Sequence, residues 1–254
     1  MQSRLPLAFG ILAGTAVVAR ERKARQGTER LGAAALETLL DAIEANDPVT
    51  GAHVRRVAAY ALVIADAMDL PEHRQRGVER VALFHDVGKI YEALFDIVHD
   101  RTGLSPKEWR AIITHPERGA EVLAPLGAFY PELPEGALSH HERWDGSGYP
   151  RGLKGHHIPL EARIVAIADT VDAVAHTRRY RRGSGFANAF RVIAEGRGTQ
   201  FDPEIVDLTL LPPVRARIIR TRVSWQHAPK RRRGARERVP DVSFRWRSES
   251  SAAR

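Results

Sequence analysis

From Arg30 to Leu210 the apolar residues recur at intervals of three and four, and no stretch gives four clean apolar/polar alternations between hairpin turns. The first pattern is that of helices with one buried face, and the missing one is that of half-buried strands. A chain limited to the first must stack helices on helices, so the expectation is an all-α fold. Its 254 residues, 43% of them hydrophobic, suffice for one sizeable core or two small ones.

Arg30 to Ala45 places Leu31, Ala35, Leu39 and Ile43 on one helical face and ends at Asn46-Asp47-Pro48. A second helix is predicted from about Ala52 to Met68, after a turn at Gly51, with His53 in its first turn. Pro71 suits the first turn of a third, whose Val78, Val81, Leu83 and Phe84 lead to His85-Asp86 before Gly88 breaks it. His85 falls on the apolar face, where an unpaired polar ring is costly. Ser105-Pro106-Lys107-Glu108 is a start signal for a helix finishing at His115-Pro116. A short helix over Glu117 to Leu126 and a Pro/Gly-rich link from Pro125 to Gly136 follow. Pro159 starts a long helix that buries Ile164, Ile167, Val171 and Val174 and places Asp169, Asp172 and His176 on one face. Phe186 to Glu195 and Pro203 to Leu210 are the last helices, with Pro212-Pro213 as the stop.

The formal charge of +8 is concentrated at the ends. Residues 215–254 carry +10 and residues 1–26 carry +4, which leaves −6 for residues 27–214. A fold-wide nucleic-acid surface is not implied by such a distribution. Residues 215–254, with KRRRGARER at Lys230 to Arg238, read as a weakly ordered basic tail, either solvated or contacting acidic lipid or nucleic acid. Leu5 to Ala19 is an uncharged, mostly apolar run followed by a basic cluster, short of the roughly 20 residues that cross a bilayer comfortably. A tilted single anchor with the remainder cytoplasmic is the first expectation there; a signal peptide and a buried terminal helix are the others.

The chain has no cysteine, which excludes disulfides, thiolate zinc sites and cysteine nucleophiles. Any transition-metal site must therefore draw on His, Asp and Glu. His140-His141 precede Glu142 and Asp145, which can orient a ligand or cap a turn, and a loop stiffened by Gly146, Gly148 and Pro150. A surface turn accounts for that loop as well as a site does. The adjacent pairs His85-Asp86 and His140-His141 weigh against chance in a chain with 11 histidines, and add to His53, His115 and Asp169 as candidate ligands. A carboxylate has two oxygens and can bridge two ions, so Asp86 makes a two-metal centre reachable. Nitrogen and oxygen donors suit Fe, Mn, Zn, Co or Ni, and hydrolysis of a phosphate ester is the natural chemistry of such a centre.

HDVGK at His85 to Lys89, HHERWDGSGYP at His140 to Pro150 and IVAIADTVD at Ile164 to Asp172 together resemble the HD-GYP family of bacterial cyclic di-GMP phosphodiesterases. TRRYR at Thr177 to Arg181 and GTQFDPEIV at Gly198 to Val206 extend the resemblance, which runs from about Asn46 to Leu210. It implies an HD-superfamily helical bundle with an HD-GYP extension over residues 27–214, and hydrolysis of cyclic di-GMP to pGpG or on to GMP. It also implies two divalent ions, with Fe or Mn the first expectation. One would be held by His53, His85, Asp86 and Asp169, the other by Asp86, His115, His140 and His141, with Asp86 bridging and central to catalysis. Lys89 matches a lysine that contacts substrate phosphate and assists the leaving group. Gly148-Tyr149-Pro150 matches the namesake loop at the pocket wall, Arg178 and Arg181 match arginines near substrate phosphates, and Asp172 matches a carboxylate at the edge of the metal shell. A homodimer or an upstream signalling protein is the partner expected for regulation.

Three positions depart from the family pattern. Val49 stands where members with three metals carry a glutamate, which favours two. Tyr91 to Asp100 replaces the usual segment after the HD motif, and Arg179 replaces a proline. A module that binds cyclic di-GMP without turnover, and a phosphohydrolase acting on another nucleotide, are the competing readings.

Overall fold

The computed structural model describes residues 30–45, 47–90, 112–176 and 183–226. Two compact units divide the chain: Met1–Leu39 with Arg232–Arg254, of which 30–39 are described, and Leu40–Arg231. The expected segments Leu5 to Ala19, Tyr91 to Asp100, the Ser105 helix start, and Arg178, Arg179 and Arg181 lie outside the described residues.

The helices are α1 (30–45), α2 (Pro48–Ala67), α3 (Glu72–Phe84), α4 (His115–Leu123), α5 (Glu132–Ser139), α6 (Leu160–Ala175), α7 (Gly185–Glu195), α8 (Pro203–Thr209) and α9 (Pro212–Gln226). A 3₁₀ turn, Val87–Ile90, follows α3. No strand occurs among the described residues, where the nearest feature is an isolated bridge between Arg197 and Phe201. None of the described helices is long and apolar enough to cross a membrane.

Helix α2 is central. It packs against α3, α6, α8 and α9, while α3 also meets α5 and α6. Val54, Val57, Ala61 and Ile64 of α2 and Ile164, Ile167 and Val171 of α6 form the core between them. Each such branched side chain removed from water contributes roughly 1.5–3 kcal/mol.

The structure moves several expected boundaries, each for a local reason. In α1 the buried residues are Gly32, Leu36, Leu40 and Ile43, whereas Leu31 and Ala35 are exposed. Both stripes fit a period of 3.6, so periodicity could not choose between them. Helix α2 starts four residues before Ala52, because Asp47 accepts from Val49 N at 2.9 Å and from Thr50 Oγ1 at 2.7 Å. Such a cap is worth about 1 kcal/mol. Helix α5 takes in Glu132 to Gly136, the end of the expected Pro/Gly-rich link. Pro134 lies in its first turn, where no N–H partner is needed, and Gly136 lets it lie close to α3. A Cβ on Gly136 would stand 2.5 Å from both methyls of Val81.

His115 opens α4 rather than closing the preceding helix. Pro212 and Pro213 end one helix and begin another, so residues 215–226, expected within a weakly ordered tail, are helical. Val214 and Ile218 are buried, and Arg217 pairs with Asp66 at 2.7 Å.

The 3₁₀ turn after α3 packs against the start of α4. Gly88 makes this approach possible: a Cβ there would overlap the carbonyl oxygen of His115 and stand 2.6 Å from Gly119 N. Both neighbours are backbone atoms and cannot rotate away. Gly88→Ala is expected to cost about 1–3 kcal/mol, as overpacking does elsewhere. Urea denaturation checks this, and an unchanged midpoint would contradict it.

Candidate metal centre

Three helix ends and two helix faces converge on one carboxylate. His85 caps the C-terminus of α3, His140 that of α5, and His115 begins α4. His53 projects from the second turn of α2 and Asp169 from α6. His53, His85, Asp86, His115 and His140 are buried.

Every one of these four imidazoles has its Nδ1–H committed. His85 donates to Ala82 O at 2.8 Å, His115 to Ile112 O at 2.6 Å, His140 to Ala137 O at 2.7 Å, and His53 to Asp172 Oδ2 at 2.7 Å. A carbonyl or carboxylate acceptor requires the proton on Nδ1, which leaves the Nε2 lone pair free. These Nε2 atoms surround Asp86. Its Oδ2 lies 3.4 Å from His85 and 3.8 Å from His53, and its Oδ1 lies 3.3 Å from His115 and 3.8 Å from His140. Asp169 Oδ1 is 3.3 Å from His53 Nε2.

Two groups result. Donor atoms of Asp86, His115, His140 and His141 lie within 4.8 Å of one another, and so do those of His53, His85 and Asp169. Both groups are drawn from residues singled out in the sequence; Asp86 joins the first, and its Oδ2 faces His85 and His53 of the second.

The donor set fits divalent cations on its own terms. The Nε2 atoms of His53 and His85 are buried without a hydrogen-bond partner among the described residues. The Nε2 atoms of His115 and His140 face each other at 3.1 Å, lone pair against lone pair. Leaving such groups unsatisfied costs about 1–3 kcal/mol each. Two nitrogens about 2.1 Å from one ion and at right angles would stand about 3 Å apart, which is the spacing seen.

Electrostatics keep the set ready for a cation. Burial opposes ionisation of Asp86, yet Lys89, His85 and His115 outweigh it and hold the carboxyl well below its ordinary range. Lys89 Nζ stands 2.6 Å from each carboxylate oxygen. Burial, followed by the neighbouring imidazoles, holds His140 well below the ordinary histidine value. Burial, His115 and Lys89 bring His141 down to about 3. His85 differs: burial opposes its protonation, but the adjoining Asp86 prevails and raises it.

The loop after His141 is fastened from within. Buried Glu142 accepts from Arg151 N at 2.7 Å and Leu153 N at 3.0 Å, and Asp145 accepts from Ser147 N at 2.9 Å. Both carboxylates cap turns, and neither belongs to a ligand group. Gly146 has φ of 85°, and a Cβ on Gly148 would lie 2.6 Å from His141 O. The loop is tied outward as Trp144 N donates to Gln200 O and Asp145 N to Thr199 O. Tyr149, joined to Pro150, stacks on His141 with ring centroids 5.0 Å apart. Burial, then Asp86 and Asp169, push its phenol up to about 12, so it remains a protonated donor at neutral pH.

Arg56 was not anticipated. It donates to Asp172 Oδ1 from Nε at 2.6 Å and to Oδ2 from Nη2 at 3.1 Å. His176 Nδ1 lies 2.9 Å from the same Oδ1. The available signal was that Arg56 follows His53 by three residues on one helix. Val49, on the first turn of α2, is exposed and offers no donor atom.

A family model of the HD domain matches residues 37–205. The cyclic di-GMP phosphodiesterase response regulator RpfG of Xanthomonas campestris is 41% identical over 183 residues, 69% of this chain and 46% of that protein. The 3'3'-cGAMP-specific phosphodiesterase 2 of Vibrio cholerae is 37% identical over 174 residues, 68% of this chain and 33% of that protein. The chain thus spans less than half the length of these relatives. Among solved structures, the HD domain of the phosphodiesterase PgpH from L. monocytogenes superposes with a TM-score of 0.53 at 20% identity, over 74% of this chain and 99% of that one, a likeness of fold. With the HD pair at the end of α3 and the Gly148-Tyr149-Pro150 loop beside His141, the chain belongs to the HD domain family, in its HD-GYP form.

Proposed function

We propose that the domain is a metal-dependent phosphodiesterase that opens cyclic di-GMP to pGpG, with Asp86 bridging two divalent ions. The observation that carries this reading is the division of Asp86: Oδ2 faces His53 and His85, and Oδ1 faces His115 and His140. One position would be His53, His85, Asp86 and Asp169, the other Asp86, His115, His140 and His141. The exposed Val49 in place of a further carboxylate supports two ions rather than three. The preference for cyclic di-GMP over other cyclic dinucleotides draws on the name of the Xanthomonas relative.

Fe or Mn bound there would lower the pKa of a shared water and offset phosphoryl charge. The remaining chemistry belongs to the chain. Lys89 carries its ammonium beside Asp86, where it can meet a substrate phosphate and protonate the leaving 3′ oxygen as the P–O bond breaks. Tyr149 forms part of the pocket wall and holds the ring of His141 in place. Arg178 and Arg181 are proposed to grip the outer phosphates, and Asp172 to steady His53. With two ions, pGpG is the expected endpoint.

A time course by HPLC with cyclic di-GMP and 3'3'-cGAMP, in Mn²⁺ or anaerobic Fe²⁺, tests the reading. Micromolar binding without product would assign the domain to a non-catalytic role instead. Asp86→Ala is expected to lose both ions in metal analysis and all turnover, and near-normal activity would defeat the bridging role. Lys89→Ala should retain both ions while turnover falls about 10²-fold or more, the scale of general acid catalysis.

A further inference from the structure

We propose that Arg56 is a positioning residue for one half of the metal centre, acting through Asp172 on His53. The proposal rests on the dinuclear reading above and concerns how its two positions differ.

His85, His115 and His140 each direct Nδ1–H to the carbonyl three residues back in their own segment. His85 and His140 sit at helix C-termini, where carbonyl oxygens lack intrahelical donors, and the acceptor of His115, Ile112 O, lies just before α4. Their orientation is therefore local. His53 lies inside the 20-residue α2, where the backbone carbonyls serve the helix itself. Its Nδ1–H must find an acceptor on another element.

Asp172 of α6 supplies that acceptor, across 119 residues of chain. A buried carboxylate needs a cationic partner, and its plane must be held if it is to aim an imidazole. Arg56 does both with two donors, one to each oxygen. His176 completes the set around Asp172. Arg56 is offset by three residues from His53, so both reach the same carboxylate from one helix face. No comparable carboxylate orients His115 or His140, whose Nδ1 atoms use backbone oxygens. His53 thus depends on tertiary contact between α2 and α6, whereas His85, His115 and His140 depend on local backbone.

The test is a calorimetric titration of the metal-stripped full chain with Mn²⁺, in wild type, Arg56→Gln and Arg56→Lys, beside thermal unfolding in EDTA. The wild type is expected to take two ions. Arg56→Gln should weaken one of them about 10- to 100-fold, the range for loss of such supporting contacts, and leave the other unchanged. Arg56→Lys should fall between, because an ammonium restores charge without the planar fork. Equal affinities in Arg56→Gln and wild type overturn the proposal, and so does equal weakening of both positions, which would mark a purely structural role. If Arg56→Gln does not fold, Arg56→Lys decides by the same comparison. A wild type that takes fewer than two ions removes the dinuclear reading, an outcome visible before any variant is compared.

Discussion

The carboxylate of Asp86 is a negative charge buried where a helix ends, and the architecture around it is arranged to keep it ionised. An unpaired ion in such a place would carry a desolvation cost of several kcal/mol. Lys89 answers that cost from one turn away, and His85 and His115 add to it. The approach of α4 to the turn holding Lys89 then becomes a requirement, because His115 must arrive beside the same carboxylate. Gly88 and Gly119 are the residues that let the two backbones meet.

The convergence of helix ends explains why this fold can orient so many imidazoles cheaply. The last carbonyls of a helix lack N–H partners, and a histidine at the cap satisfies one while fixing its own tautomer. His85 and His140 do this with Ala82 and Ala137. One hydrogen bond thus removes an unsatisfied carbonyl and points Nε2 inward. Where the histidine is not at an end, as with His53, the same result needs Asp172 and its own partners.

Much of the site was legible in the sequence because its residues lie in adjacent pairs on short motifs: His85-Asp86, His140-His141, and Asp169 three residues before Asp172. The division of Asp86 between two groups followed from the two oxygens of any carboxylate. Long-range pairing was not legible. Only its spacing of three from His53 distinguishes Arg56 from Arg55, which turns instead to Glu44. The fold shows the same limit. Helical class was plain from periodicity, but two stripes of α1 fit that period equally, and that α5 forms across Pro134 and Gly136 depended on its contact with Val81, distant in sequence. Helix α9 was hidden by reading Pro212-Pro213 as a stop, when proline is equally suited to a first turn.

The fields at the centre pull in two directions, and burial decides against a proton at His140 and His141. Helices α3 and α5 bring their C-terminal ends there, and a cation near such an end gains roughly 0.3–1 kcal/mol, more when partly buried. Asp86 adds a full negative charge. Those fields alone would protonate the imidazoles and spoil them as ligands. Burial opposes this at His140 and His141, where the charged ring would lose its hydration and face neighbouring imidazoles. At His85, directly against Asp86, the carboxylate prevails. A divalent ion held by these residues would escape the conflict, since it would supply positive charge while using each Nε2 lone pair as a donor. The same arrangement that penalises a proton on His140 and His141 would therefore suit a cation held together with Asp86.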